Sequence, residues 1–373
     1  IAEGLTDLGK VSVICGSTEY QSSILKSNEQ LNQKIDLIRI LTPRLNKNVL
    51  LYRVIVFLIF TISVFFKIIF KLKKNDTLIL VTNPPILLLF IGLLKKVYKF
   101  NFVIILQDIF PENALVSGIF NHDSFGYQLI LKIMNFSYKK ADKLIACGFD
   151  MAQHFINKGI DERKLFVIPN WADHKLITPS LSIDRNEYFN LNLSNKIVIE
   201  FAGNVGRVQG LEKFIKIFSK STNKNLILII IGDGANKKAL EEYVYLNNLE
   251  NVYFFKSKNR MEQNIFLNSC DIGLVTLCRG MRGLGVPSKV YNIMSAGKPI
   301  LYIGDQYSEI DNYIRQNKIG WSFNWDEEID IINFINKINC NDNIIQYGHN
   351  ARNFILNKFT QEIVINQYKN YLN

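Results

Sequence analysis

The stretch LCRGMRGLGVPSKVYNIMSAGKPI, Leu277–Ile300, decides how the rest of the chain is read. It leaves an apolar run, Asp271–Leu277, that reads as a strand. It then crosses a loop with three glycines (Gly280, Gly283, Gly285) and two arginines (Arg279, Arg282). Pro287-Ser288 opens a helical stretch that stops at Gly297-Lys298-Pro299, because proline suits a first helical position and glycine the residue past the last. Unpaired N–H groups at such a start, with Lys289 in the first turn, suit a phosphate or diphosphate. The same residues also fit an ordinary basic loop capping a core helix, so the neighbouring sequence has to arbitrate.

Two further turns of the same kind precede it. The strand Ile197–Ala202 runs through Gly203-Asn204-Val205-Gly206-Arg207-Val208-Gln209-Gly210 into a helix, Leu211–Ser219. The strand Leu226–Ile231 ends in Gly232-Asp233-Gly234 before a helix, Lys237–Asn247. Val252–Phe255 and Pro299–Tyr302 complete a sheet. Three glycine-bearing turns then sit at strand ends of one sheet, with Arg207, Arg279, Arg282 and Lys289 as cations. Such an arrangement can hold a nucleotide diphosphate and stabilise it as a leaving group. The spacing is not GxGxxG, so the dinucleotide fingerprint is absent.

The first half alternates in the same way. Val11–Cys15, Asp36–Ile40, Thr77–Val81, Phe102–Gln107, Lys143–Cys147 and Phe166–Ile168 read as short apolar strands with helical stretches between them. This pattern predicts a parallel sheet with right-handed crossovers. Ligands of such sheets lie at the carboxyl ends of strands, where Asp108 and Glu112 fall. The expected organisation is a first unit over residues 1–178 and a Ser/Asn-rich linker over 179–196. A second unit over 197–350 follows, and then a final helix over 351–373 that returns to the first unit. The opening IAEGLTDLGK reads as the tail of a helix, so an initial strand and glycine-rich loop are expected before it.

Composition narrows the class. The 373 residues are 48% apolar and 21% charged, which describes a globular protein. Five scattered cysteines with no CxxC pair, and four histidines without HExxH spacing, point to a reducing compartment and away from a structural metal site. The net charge of +11 is uneven: residues 1–180 carry 22 Lys/Arg against 14 Asp/Glu, the remainder 22 against 19. Arg44, Lys47 and Arg53 precede the apolar run Val54–Phe66, and Lys67, Lys71, Lys73 and Lys74 follow it; Lys95, Lys96 and Lys99 follow Ile86–Leu94. Val54–Phe66 has 13 uncharged residues, whereas a bilayer span needs about 20. It is read as a buried or interface-dipping helix. Basic residues rimming apolar helices suit an anionic membrane surface, at about 1 kcal/mol per residue near the headgroups. No reader motif or aromatic stacking pattern accompanies the charge, which argues against nucleic acid.

Taken in order, several segments resemble the retaining family 4 glycosyltransferases of the GT-B fold, an α/β architecture of two facing Rossmann-like domains with a cleft between them. Asp108-Ile109-Phe110-Pro111-Glu112 is similar to a D-hydrophobic-WPE segment, Ala141-Asp142-Lys143-Leu144-Ile145 to "ADRII", and Val167-Ile168-Pro169-Asn170-Trp171 to "VIPNW". Phe201-Ala202-Gly203-Asn204 with Gln209-Gly210 matches a "GN…QGL" loop, and Gly232-Asp233-Gly234 and Val286-Pro287-Ser288-Lys289-Val290 complete the set. The subgroup it most resembles builds O-antigen, capsule and colanic acid and includes N-acetyl-L-fucosamine transferases. The resemblance implies that Gly203 and Gly206 lie against the donor diphosphate, with Asn204 and Gly232 beside them, and that Lys289 pairs with its phosphates. Asn292 stands where many relatives carry a ribose-binding glutamate, and Asn204 and Gln209 stand where the broader family has an arginine and a lysine. Arg207 or Arg282 is then a candidate replacement for the missing charge, and Pro287 and Ser288 border the site.

The implied reaction is transfer of a sugar with retention from a nucleotide donor, UDP-linked by expectation. The acceptor would be a polyprenyl-diphosphate-linked saccharide at the cytoplasmic face of the inner membrane. Cations and N–H groups neutralise the leaving phosphate, and Asp108 or Glu112 orients or deprotonates the acceptor hydroxyl. No carboxylate pair of the DxD kind stands at a strand end, so neither a metal nor another cofactor is expected. A sugar-nucleotide epimerase of the same fold and a non-catalytic nucleotide-sugar-binding membrane subunit are the alternative readings.

Overall fold

A computed structural model describes residues 1–16, 34–43, 50–339 and 343–373. Arg44, Lys47 and the Arg53 side chain lie outside what is described. The first half runs β1 (Val11–Gly16), β2 (Ile35–Ile40), α1 (Leu50–Lys71), β3 (Thr77–Val81), α2 (Pro85–Leu94), β4 (Asn101–Leu106), α3 (Glu112–Val116), α4 (Phe125–Lys140), β5 (Lys143–Ala146), α5 (Phe149–Asn157) and β6 (Leu165–Val167). The second runs α6 (Arg185–Phe189), β7 (Ile197–Ala202), α7 (Leu211–Phe218), β8 (Leu226–Ile231), α8 (Lys237–Leu246), β9 (Val252–Phe255), α9 (Gln263–Asn268), β10 (Ile272–Thr276), α10 (Lys289–Ser295), β11 (Ile300–Ile303), α11 (Glu309–Asn317) and β12 (Gly320–Phe323). Three helices close the chain: α12 (Glu328–Lys337), α13 (Ile344–Lys358) and α14 (Gln361–Leu372).

Among the described residues every strand pairing is parallel. In the first half β1 pairs with β2, and β3-β4-β5-β6 form a four-stranded sheet. In the second half the order is β12-β11-β10-β7-β8-β9, so the order reverses between β7 and β10. That reversal opens a crevice at the carboxyl ends of those two strands, the usual ligand position in an open α/β sheet. Apart from Glu200 of β7, the central strands are largely apolar runs because helices cover both faces. All six residues of β8, Leu-Ile-Leu-Ile-Ile-Ile, are buried. Each such side chain contributes roughly 1.5–3 kcal/mol by leaving water.

Two expectations change. The stretch read as a linker contains α6, capped by the Asp184 side chain, which accepts from the Asn186 and Glu187 amides. Arg185 then ties α6 to Asp271 at 2.8 Å. The final helix is two helices: Phe359 ends α13, and Thr360 caps α14 by accepting from the Ile363 amide. Hydroxyl caps compete with helix continuation, which is why a periodic stretch breaks there. Beyond the break, Val364 and Tyr368 of α14 pack with Val103, Ile105 and Ile145 of the four-stranded sheet.

Candidate functional site

Three loops converge at the crevice. The Gly203 amide donates to the Ile231 carbonyl at 2.9 Å, and the Val205 amide to the Asp233 carbonyl at 2.9 Å. Gly232 has φ +151°, and a Cβ on it would fall 1.9 Å from the Gly203 oxygen, so only glycine permits these two turns to stack. Lys237, buried in the first turn of α8, donates to the carbonyls of Gly232 at 2.7 Å and Phe255 at 2.8 Å and fixes the second turn from below. The Cys278 amide donates to the Val208 carbonyl at 2.8 Å, which brings the loop after β10 against the loop after β7.

Lys289 is the cation at this junction. Its Nζ lies 3.4 Å from the centroid of the buried Phe201 ring and donates to Gln209 Oε1 at 3.2 Å. A Cβ on Gly203, whose φ is +142°, would meet the same Nζ at 3.3 Å. Lys289 has no carboxylate in ion-pair contact among the described residues, and burial pushes its ammonium down to about 7. The charge is held beside the glycine turn by the Phe201 ring and one amide oxygen.

The other expected residues divide. Asn204 and Gly206 share the Gly203 loop, and the Asn204 amide would sit 2.9 Å from a Cβ on Gly206. Arg207 is exposed at the start of a single 3-10 turn, Arg207–Gln209, and makes no ion pair among the described residues. Arg282 does not take part in the Lys289 cluster. Its amide donates to Asp305 at 2.9 Å, and its guanidinium lies over the Tyr307 ring at 5.8 Å. Arg279 pairs with Asp326 at 2.5 Å on the outer side of the loop. Pro287 and Ser288 precede α10, where Ser288 makes no side-chain cap.

Ser288 and Asn292 line a cavity of about 470 Å³ together with Lys258, Asn259, Arg260 and Gln263 from the segment after β9, and Trp171 and Asp173 from the stretch that joins the two sheets. That volume lies within the range of small-ligand sites. The four residues after β9 were missed from the sequence. The rule that found the other loops, a polar turn at the carboxyl end of a strand, applies equally to Ser257-Lys258-Asn259-Arg260. Arg352 was also missed. From α13 it donates to the carbonyls of His174, Ile177 and Ser295 at 3.0, 3.0 and 2.6 Å, fixing the joining stretch to α10.

Across the crevice, Asp108 follows β4. The buried Thr82 hydroxyl accepts from the Gln107 and Asp108 amides at 3.2 and 3.3 Å. Asp108 forms a β-bridge to Gly285, and its Oδ1 would lie 3.1 Å from a Cβ there. Solvent reaches the residue, yet desolvation by its surroundings holds the carboxyl above the usual range. Glu112 differs from the expectation. It is buried, and although burial acts to raise its carboxyl, His154 and Lys158 outweigh that and bring it below the usual range. Lys158 donates to Glu112 directly, with His154 at 3.6 Å. Glu112 is thus engaged by Lys158 within the first unit, while its second carboxyl oxygen has no partner among the described residues.

Comparison with known proteins agrees with this geometry. Residues 184–353 match the sequence profile "Glycosyl transferases group 1". A protein of Pseudomonas aeruginosa named "Probable glycosyltransferase WbjE" is 33% identical over 331 residues, covering 87% of this chain and 81% of the relative. An Escherichia coli K12 protein named "Putative colanic acid biosynthesis glycosyl transferase WcaI" is 27% identical over 256 residues, covering 67% and 63%. Among solved structures, Anabaena HepE in complex with UDP superposes with a TM-score of 0.71 at 16% identity over 97% of this chain and 99% of that one. Sucrose-phosphate synthase of Thermosynechococcus elongatus gives 0.75 at 14% identity over 100% and 90%. The fold is GT-B, with two Rossmann-like α/β domains. With a relative this similar along most of its length and the profile match over its second half, the chain belongs to the group 1 glycosyltransferases.

Proposed function

We propose that this enzyme moves a sugar, with retention, from a UDP-linked donor to a polyprenyl-diphosphate-linked saccharide during synthesis of a bacterial surface polysaccharide. The observation that carries the reading is the Lys289 ammonium held against the Gly203 turn with no carboxylate in ion-pair contact among the described residues. A diphosphate supplies a countercharge, and the Gly206 amide of the same loop adds a donor. The cavity beside Ser288 and Asn292 has room for the nucleoside, and HepE, of the same fold, was solved with UDP. Names of two relatives place them among glycosyltransferases, one of them in colanic acid synthesis. Membership of the retaining family 4 and a UDP-N-acetyl-L-fucosamine donor follow from the motif resemblance.

In the reaction, the bond from the sugar's anomeric carbon to the diphosphate oxygen breaks, and the acceptor oxygen bonds that carbon on the same face. Lys289 offsets the charge that grows on the leaving phosphate. The acceptor proton passes to the departing phosphate oxygen, and Asp108, fixed by Thr82, orients the acceptor hydroxyl. Neither a metal nor a protein nucleophile takes part. Arg207, exposed on the same loop, is a second cation within the site's loop.

The two units, meeting near residues 178 and 197, divide the labour between acceptor and donor. The acceptor side rests on the cytoplasmic membrane face. Its α1 exposes Ile55, Ile59, Ile62, Phe66 and Phe70, with Lys67, Lys71, Lys73 and Lys74 around its end. Among the described residues no helix is long and apolar enough to cross a membrane.

The test is incubation with membranes carrying lipid-linked saccharide and a panel of UDP-sugars. Release of UDP coupled to acceptor growth is expected. Interconversion of the sugar nucleotide without acceptor identifies an epimerase, and donor binding without turnover identifies a binding subunit; either refutes the proposal.

A further inference from the structure

Helices α5 and α11 begin nose to nose, one from each Rossmann-like unit. The first N–H groups of a helix have no partner within it, and its start carries partial positive charge, so two facing starts repel unless something intervenes. Here each helix lends the other a carboxylate. Glu309, first residue of α11 and buried, accepts from the Phe149 amide of α5 at 2.7 Å. Asp150 of α5 accepts from the Glu309 amide at 3.0 Å, and its other oxygen from the Met151 amide at 2.7 Å. A Cβ on Gly148 would fall 2.9 Å from Glu309 Cγ, so no other residue lets the two helices approach this closely.

The same Asp150 oxygen also accepts from the Gly283 amide at 3.2 Å. Gly283 has φ +74°, and a Cβ there would meet the Asp150 carbonyl at 2.9 Å. The next two residues of that loop bond to the first unit as well. The Ile109 amide donates to the Leu284 carbonyl at 2.9 Å, and Gly285 bridges Asp108. Thus the loop that leads to Lys289 is clamped from the opposite side of the crevice, and Asp150 belongs both to the clamp and to the helix exchange.

We infer that Asp150 and Glu309 are positioning residues: their crossed caps hold the two units closed and set the loop at 281–285 against Asp108, aligning donor sugar and acceptor hydroxyl. Neither touches Lys289, Gly203 or Gln209, so the diphosphate grip is independent of them. Only the turnover arm of the test rests on the transfer reaction proposed above. A misplacement of about 1 Å in such an alignment costs about 100-fold in rate.

The variants are Asp150→Ala, Glu309→Ala and Glu309→Gln, the last keeping an oxygen for the Phe149 amide. Expected for both alanine variants is faster hydrogen exchange at the amides whose acceptor is lost: Gly283, Glu309 and Met151 in the first, Phe149 in the second. The radius of gyration with UDP bound should be larger in both. UDP affinity stays within about twofold while kcat falls by about 10- to 100-fold, and Glu309→Gln recovers most of the loss. Unchanged exchange and radius, or a loss of UDP affinity that matches the loss of kcat, overturns the inference. Should Glu309→Ala fail to fold, Asp150→Ala, at a less buried position, decides alone. Absence of transfer by the unmodified protein would refute the function proposed above, and exchange and radius would then decide the positioning role without turnover.

Discussion

Lys289 sits where burial and binding pull its proton in opposite directions. Burial holds the free ammonium down to about 7. A bound diphosphate favours the charged form and raises it again. Affinity for UDP is therefore greatest below about pH 7 and falls as pH rises through that value, by as much as about tenfold per pH unit until the bound-state pKa is reached. Titration calorimetry in buffers of different ionisation enthalpy should register proton uptake on binding above pH 7. An equal UDP affinity at pH 6.5 and 8.5 would show that this ammonium is not in the grip. The residue was legible in the sequence as part of Val286-Pro287-Ser288-Lys289-Val290. Its contact with Gln209, eighty positions earlier in the chain, was not, since only folding juxtaposes two loops. Glu112 shows the converse: its place after a strand was legible, but its partners, His154 on α5 and Lys158 just past its end, are not connected to it by sequence order.

At the scale of elements, β7 carries a cost in its middle. Glu200 is buried among apolar residues, one of its oxygens has no partner among the described residues, and burial holds its carboxyl well above the usual range despite Lys298. Below the unfolded carboxyl value both states are protonated and nothing is lost. As pH rises above it the unfolded chain ionises while the folded one resists, so stability falls. Glu200→Gln should raise the melting temperature by about 2 °C or more at pH 7–8 and change it little near pH 4; a drop at pH 7–8 would mean the carboxylate is paired. Helix α1 is a second case. Its buried face, Thr61, Val64 and Ile68, turns inward, and its exposed stripe is apolar where a soluble helix carries charge. Phe66→Asp should weaken binding to vesicles containing anionic lipid by about tenfold or more, read by co-sedimentation at fixed ionic strength; unchanged binding would remove α1 from the membrane contact. Both features follow from apolar periodicity visible in the sequence. The α6 helix and the break at Phe359-Thr360 do not, because short caps such as Asp184 and Thr360 act against a background that reads as linker or continuous helix.

Across the whole molecule, the alternation of strands and helices made the α/β class legible, because buried parallel strands must be continuous apolar runs such as Leu226–Ile231. Strand order was not legible, and it matters most here: the reversal between β7 and β10 places the Gly203 and Lys289 loops on either side of one crevice. The motifs pointed to loops singly, while the fold makes them a single surface. That surface gives the account its central claim, that the Lys289 ammonium against a glycine turn grips a pyrophosphate. Titration of UDP into the unmodified protein and into Lys289→Ala at pH 6.5, with melting temperatures compared, tests it directly. The account predicts binding weakened by about 30- to 100-fold, a loss of roughly 2–3 kcal/mol typical of a charge-assisted contact, with the fold intact. Equal affinity in the two proteins would contradict it.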